Sequence, residues 1–159
     1  MDPVSYDDRL WYLAGLNHRF GMDPKGFDDY ELYKPNRRCL TILHKEHLLN
    51  HSFRVESIGL EFLKVRSTVP KMTTMATTLF GGLAQRNFVS LTKPQLEEYL
   101  CRRSLEFDQY GNVETEGQVV VRYLHYNIGL GFARLGEKLV VESLYPKGRW
   151  TGSKASPNS

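Results

Sequence analysis

Three histidines stand at metal-ligand spacing in "HKEHLLNH": His44, His47 and His51, three and four residues apart. On a helix these positions share one face, and their imidazoles reach one divalent ion. The order is not HExxH, because Glu46 precedes His47, and no neighbouring acid is placed to act as base for a metal-bound water. Asn50 and Ser52 end such a helix early and carry His51 off the face. A polar surface turn is the plainer reading, with a small metal-dependent enzyme kept as the alternative.

The second chemical question is the glycine pattern of "NIGLGFARLGEKLVVESLYPKGRW", with Gly129, Gly131 and Gly136 after the apolar run "GQVVVRYL". A dinucleotide-binding loop places its glycines between a strand and a helix, whose N-terminal amides hold the pyrophosphate. Here the following run, "LVVESLYP", is β-rich, and the spacing misses GxGxxG. Gly136-Glu137 is expected as a two-residue hairpin turn with glycine at positive φ. Gly129 and Gly131 alternate on one face of a strand, where glycine permits a bend or the close approach of a backbone or ligand.

Nucleophilic and acid–base sets are absent. Cys39 and Cys101 sit in no CxxC, which excludes a disulfide scaffold and a cysteine zinc site, and free thiols suit a reducing compartment. Asp7-Asp8 and Asp28-Asp29 are adjacent acids whose side chains diverge, so neither makes a glycosidase pair. There is no GxSxG, Walker or kinase-like set.

The basic residues carry more information. From Arg134 onward there are five (Arg134, Lys138, Lys147, Arg149, Lys154) against two acids, Glu137 and Glu142. Arg102 and Arg103 add charge upstream, and Tyr123, Tyr126, Tyr145 and Trp150 interleave. Cations meet phosphates, and aromatic faces stack on unpaired bases.

Elements must position these groups. "SYDDRLWYLAGLNHRFGMDP" predicts a helix capped by Ser5, with Leu10, Leu13, Ala14 and Leu16 as its apolar face and Gly21 and Pro24 as its stop. "YELYKPNRRCLTIL" predicts two short strands around a Lys34–Arg37 turn. "HKEHLLN" predicts one or two helical turns. "FRVESIGLEFLKV" predicts a long strand, and "KMTTMATTLFGGLA" a helix ended or kinked by Gly81-Gly82. "NFVSL" is a strand. "TKPQLEEYLCRRSL" is a helix capped by Thr92, with Pro94 in its first turn, an inner face of Leu96, Tyr99 and Leu100, and Arg102 and Arg103 at its negative end. "DQYGNVETEG" reads as a polar loop without apolar pattern. "QVVVRYLH", "IGLGFARL" and "KLVVESLY" predict three strands. Elements mixed without βαβα alternation make the class α+β, with a mostly antiparallel, barrel-like second half.

The whole chain bounds the rest. Its 159 residues are 41% hydrophobic and 25% charged, values of a globular chain. A net charge of +3 and a pI near 8.8 permit nucleic-acid binding. The polar N-terminus is no signal peptide, and no apolar run approaches the ~20 residues of a membrane helix. The expected location is cytoplasmic.

The order "LTKPQLEEYL", "GQVVVRY", "IGLGFARLGEKL" and "SLYPKGRW" resembles the C-terminal pre-PUA/PUA-like RNA-binding region of RsmF-type (Sun family) RNA cytosine methyltransferases. The matching residues are Tyr99, Leu100, Gly117, Val119, Val121, Gly129, Gly131, Leu139, Tyr145, Pro146, Lys147 and Gly148. "RFGMDPKGFDDYEL", "VESIGLEF" and "PKMTTMATTLFGGLAQRNFVSL" resemble the segment before that domain. A small ribosome-biogenesis factor has a similar paired arrangement. The family's S-adenosylmethionine loop and Pro-Cys nucleophile have no counterpart here.

The resemblance implies a pre-PUA-like domain over residues 1–84 and a PUA-like barrel over 85–152, and the small, polar composition of the tail predicts disorder over 153–159. It implies a non-catalytic module, without cofactor, binding structured ribosomal or transfer RNA in RNA modification or ribosome biogenesis. By their charge and position in the sequence, and not by the resemblance, Lys93, Arg102, Arg103, Arg134, Lys147 and Arg149 are the residues expected to meet phosphates, with stacking on Tyr145 and Trp150. Gly129 and Gly131 would admit the RNA backbone. The alternative is an accessory subunit that binds a separate methyltransferase or a ribosome-assembly protein.

Overall fold

The computed structural model describes residues 2–47, 59–66 and 69–148. The chain divides into two compact units, Met1–Gln85 and Arg86–Ser159. Helices and two sheets make the class α+β.

In the first unit, helix α1 spans Tyr6–Phe20. The Ser5 side chain accepts from the Asp8 amide at 3.1 Å, and Gly21 closes the helix at φ 67° with its N–H donating to Asn17. That left-handed cap explains the glycine. The buried face is Tyr12, Leu13, Leu16 and Phe20. Leu10, expected on the inner face, is 45% exposed, because the helix turns Tyr12 inward instead. Strands β1 (Tyr30–Tyr33), β2 (Cys39–His44), β3 (Leu60–Lys64) and β4 (Lys71–Met72) form an antiparallel sheet in that order. The upstream part of the predicted long strand, including Val55 and Ser57, lies outside the described residues.

Helix α2 (Thr74–Phe80) begins on Thr73 and runs into a 3-10 turn over Gly81–Leu83. The Thr73 hydroxyl accepts from the Ala76 amide at 3.0 Å and donates to the Glu61 carbonyl at 2.6 Å. One residue thus caps α2 and ties it to β3. Phe27, Phe62 and Phe80 pack mutually with ring centroids 5.2–5.7 Å apart, at the centre of this unit's core.

The second unit has strands β5 (Phe88–Ser90), β6 (Leu105–Phe107), β7 (Gly117–Tyr123), β8 (Tyr126–Leu135) and β9 (Leu139–Ser143), ordered β5-β7-β8-β9-β6. Among the described residues only the β5–β7 pair is parallel. Edge strands β5 and β6 are not paired with each other among the described residues, so the sheet is a curled half-barrel. Both edges line one cleft of about 170 Å³. Helix α3 (Lys93–Leu100) has a capping box between Thr92 and Gln95. Its Tyr99 joins Val89, Leu91, Leu105, Val119, Val121, Ala133, Leu139 and Val141 in the core.

Three local expectations change. Leu135 pairs with Leu139, so the β8–β9 turn has three residues, and Gly136 is not at positive φ. The loop read as purely polar is anchored by Val113, 3% exposed in the core. Buried Asn87 holds that loop, its side-chain oxygen accepting from the Glu114 amide at 2.9 Å. Strand β6 pairs with β9 although no alternating pattern marks it in the sequence.

Candidate nucleic-acid interface

Tyr99 organises one end of the second unit. Its ring is fully buried, its hydroxyl donates to the Leu130 carbonyl at 2.8 Å, and its own carbonyl accepts from the Ser143 hydroxyl at 2.8 Å. The Ser143 oxygen also accepts from the Tyr145 amide at 3.3 Å. The Tyr145 ring meets Tyr99 edge-on with centroids 5.6 Å apart. Burial, with Tyr145 beside it, pushes the Tyr99 phenol far above its ordinary value. Tyr99 therefore works as a neutral donor that fastens α3 to β8 and β9.

The Tyr99 carbonyl is where two segments that carry predicted residues begin. Arg102 and Arg103 follow α3 directly, their amides donating to Tyr99 and Glu98 carbonyls at 2.9 and 3.0 Å. Tyr145, packed on Tyr99, and Lys147 follow Ser143, the last residue of β9. Arg102, Arg103 and Lys147 are exposed and Tyr145 is half-buried. Arg102 turns the chain at φ 63°, a conformation an ordinary side chain seldom takes.

Other predicted residues stand apart. Lys93 is exposed at the opposite end of the eight-residue helix α3, about 12 Å away at the helical rise. Arg134 lies further along β8, its Nε donating to Glu142 at 2.7 Å and its guanidinium 5.0 Å from the Phe132 ring centroid. The Glu142 carboxylate pushes Arg134 up from its ordinary value. Arg103 donates to Glu98 at 2.9 Å. Arg134 and Arg103 thus each have an acidic partner on the surface of the chain. Arg149 and Trp150, and the tail over 153–159, lie outside the described residues.

The glycines do different work from that expected of them. A Cβ on Gly129 would strike the Tyr99 hydroxyl, and one on Gly131 would stand 2.5 Å from Val141 Cγ1. Both glycines face the core, and their missing side chains make room for Tyr99 and Val141. That space is filled by protein atoms, so it does not admit an RNA backbone.

Sequence reasoning missed Arg122. Its guanidinium stacks 4.0 Å above the Phe88 ring, its Nε donates to Asn127 at 3.1 Å, and burial lowers it from its ordinary value. The signal lay in the parallel register Ser90–Arg122, which places Phe88 and Arg122 on one sheet face. It missed a surface turn as well. The β7–β8 hairpin turns at Leu124 and His125, with Leu124 at φ 53° and 71% exposed, and His125 against Tyr126 at 4.0 Å.

Of the histidine cluster, His44 ends β2. Its ring meets Tyr30 edge-on, and its Nδ1 accepts from the Glu46 amide at 3.2 Å. His51 and the side chain of His47 lie outside the described residues. Among the described residues no three His, Cys, Asp or Glu side chains are grouped to hold a metal. Nor, among them, is any helix long and apolar enough to cross a membrane.

No protein-family model matches the chain, and no curated protein matches it. Among solved structures it is similar to a hypothetical protein, PH0734.1, from the hyperthermophilic archaeon Pyrococcus horikoshii OT3. The TM-score is 0.54 at 14% identity, over 91% of this chain and 92% of that one. The likeness covers the α+β fold across both units.

Proposed function

We propose that the chain is a non-catalytic RNA-binding module for structured ribosomal or transfer RNA, acting in RNA modification or ribosome biogenesis in the cytoplasm. The observation that supports this is the Tyr99 junction, where the Arg102 amide and the Ser143 hydroxyl both donate to the Tyr99 carbonyl and Tyr145 packs on the Tyr99 ring, so that the segments carrying Arg102 and Arg103 and, four residues past Ser143, Lys147 start from one point. Cations there meet phosphates, and the tyrosine offers a ring to an unpaired base. Among the described residues Arg102 and Lys147 have no acidic partner within 4 Å, so their charge is available to an outside anion. The resemblance to the RNA-handling region of RsmF-type methyltransferases supports the same reading.

The test is a salt series of filter binding with structured RNA. Arg102→Gln with Lys147→Gln is expected to flatten the salt dependence by about 0.7 per contact on single-stranded segments. An unchanged slope in a folded variant, or methyl transfer from S-adenosylmethionine by the pure chain, overturns the reading. The β7–β8 hairpin favours a second reading, a protein-binding accessory subunit. Exposed Leu124 occupies a strained position that stability alone would give to Asn or Gly. Salt-insensitive binding to a protein, lost in Leu124→Asn, would select it.

A further inference from the structure

The sheet of the first unit ends in cations that the function proposed above does not use. Register places Lys64 opposite Cys39 on one side and opposite Lys71 on the other. The ladder continues past the strand ends, where the Val65 amide donates to the Arg38 carbonyl at 2.9 Å. Arg37 and Arg66 therefore flank that bond. The Asn36 side chain accepts from the Arg38 and Cys39 amides at 2.8 and 3.1 Å, which fixes the turn that presents the two arginines. Arg37, Arg38, Lys64, Arg66 and Lys71 are all exposed.

Among the described residues none of the five has an acidic partner within 4 Å. The sequence has no acid between Glu31 and Glu46, and none between Glu61 and Glu97. Glu61 pairs with Thr41, three residues back along β3. Lys34 is set apart, since it reaches the Tyr12 hydroxyl at 3.4 Å and borders the Pro3–Tyr33 bridge that carries Asp2.

Lys64 and Lys71 are directly opposed on neighbouring strands, an arrangement that destabilises a sheet. Folding alone favours an opposite charge at one of the two positions. Lysine at both fits a surface whose counter-charge comes from outside. A membrane surface would call for aromatic or aliphatic anchors beside the cations, and in these segments the exposed large apolar side chains among the described residues are Val69 and, at the end of β3 away from Lys64, Leu60. We infer that this end of the first unit is a second nucleic-acid site, which binds the phosphate backbone of RNA without reading its bases. It uses no residue of the Tyr99 junction.

The experiment uses the full chain and a uridine homopolymer, with affinity followed by fluorescence anisotropy across a salt series. Lys64→Gln with Lys71→Gln, and separately Arg37→Gln with Arg38→Gln, are each expected to flatten the slope by roughly 1.4. Lys64→Arg with Lys71→Arg retains it. The thermal midpoint of the lysine pair variant is expected to hold or rise, because the opposed charges are gone. If that variant fails to fold, the arginine pair decides. Unchanged slopes in both pairs, with a flattened slope in Arg102→Gln/Lys147→Gln, overturn this site and leave the Tyr99 junction standing. No RNA binding by the parent chain overturns both. Binding to phosphatidylserine vesicles that these variants lose, while RNA binding persists, overturns the site in favour of a membrane surface.

Discussion

Tyr99 and Gly129 are one device made of two residues. The Tyr99 hydroxyl occupies the place of a Gly129 Cβ, and the ring carbon behind it lies at 3.4 Å, an ordinary contact. Gly129→Ala in the parent is therefore overpacked and is expected to cost about 1–3 kcal/mol. In a Tyr99→Phe background the alanine finds room, so the cycle is expected to show coupling of at least about 0.5 kcal/mol in chemical denaturation. Additive losses would mean that the glycine answers to something else. Tyr99 also sets an alkaline limit. Its phenol is raised when folded, so its stabilisation is fully present below the unfolded value of about 10 and is lost as pH rises beyond it. Melts from pH 8 upward are expected to fall more steeply above about pH 10 in the parent than in Tyr99→Phe. Parallel curves would remove Tyr99 from the account.

Among the elements, the β7–β8 hairpin departs from what its own chain geometry favours. Leucine at φ 53° strains the turn, and with the side chain 71% exposed no core contact offsets it. Leu124→Asn is expected to raise stability by about 1 kcal/mol, read as a shift in denaturant midpoint at constant m-value. A loss of stability would show that Leu124 is packed after all. Helix α3 obeys its local rules throughout. Thr92 and Gln95 exchange hydrogen bonds, Pro94 enters the first turn, and Thr92→Ala should cost about 1 kcal/mol. Such elements are legible in a sequence because cap, breaker and period lie within one turn of each other. Strand β6 is not, because Leu105–Phe107 is a strand only through its pairing with β9.

For the whole molecule, charge is distributed differently from its linear order. The cations from Arg134 onward are dense along the chain, yet Arg134 and Lys138 contact Glu142 and Asp108 at 2.7 and 3.5 Å. Cations scattered between residues 37 and 71 meet instead at one sheet end. If one RNA contacts both surfaces, neutralising pairs in each is expected to lower the salt slope by the sum of the separate losses, roughly 2.8 on a single strand. A combined variant no flatter than either pair alone would mean that the two surfaces do not engage one ligand.

What the sequence determined by itself was local: α1 between Ser5 and Gly21, α3 from Thr92, the strands β7 to β9, and the α+β class that follows from their order. Each rests on contacts within a few residues, which composition and period report directly. Tertiary structure alone decided which way the strand faces point. Period-two alternation puts Gly129 and Gly131 on one side, but only the packing of Tyr99 and Val141 shows that this side is the core. It also decided which charges are spent in internal pairs and which are left to an outside partner. Register is a long-range property, and it joins Cys39, Lys64 and Lys71 across gaps that no local pattern spans.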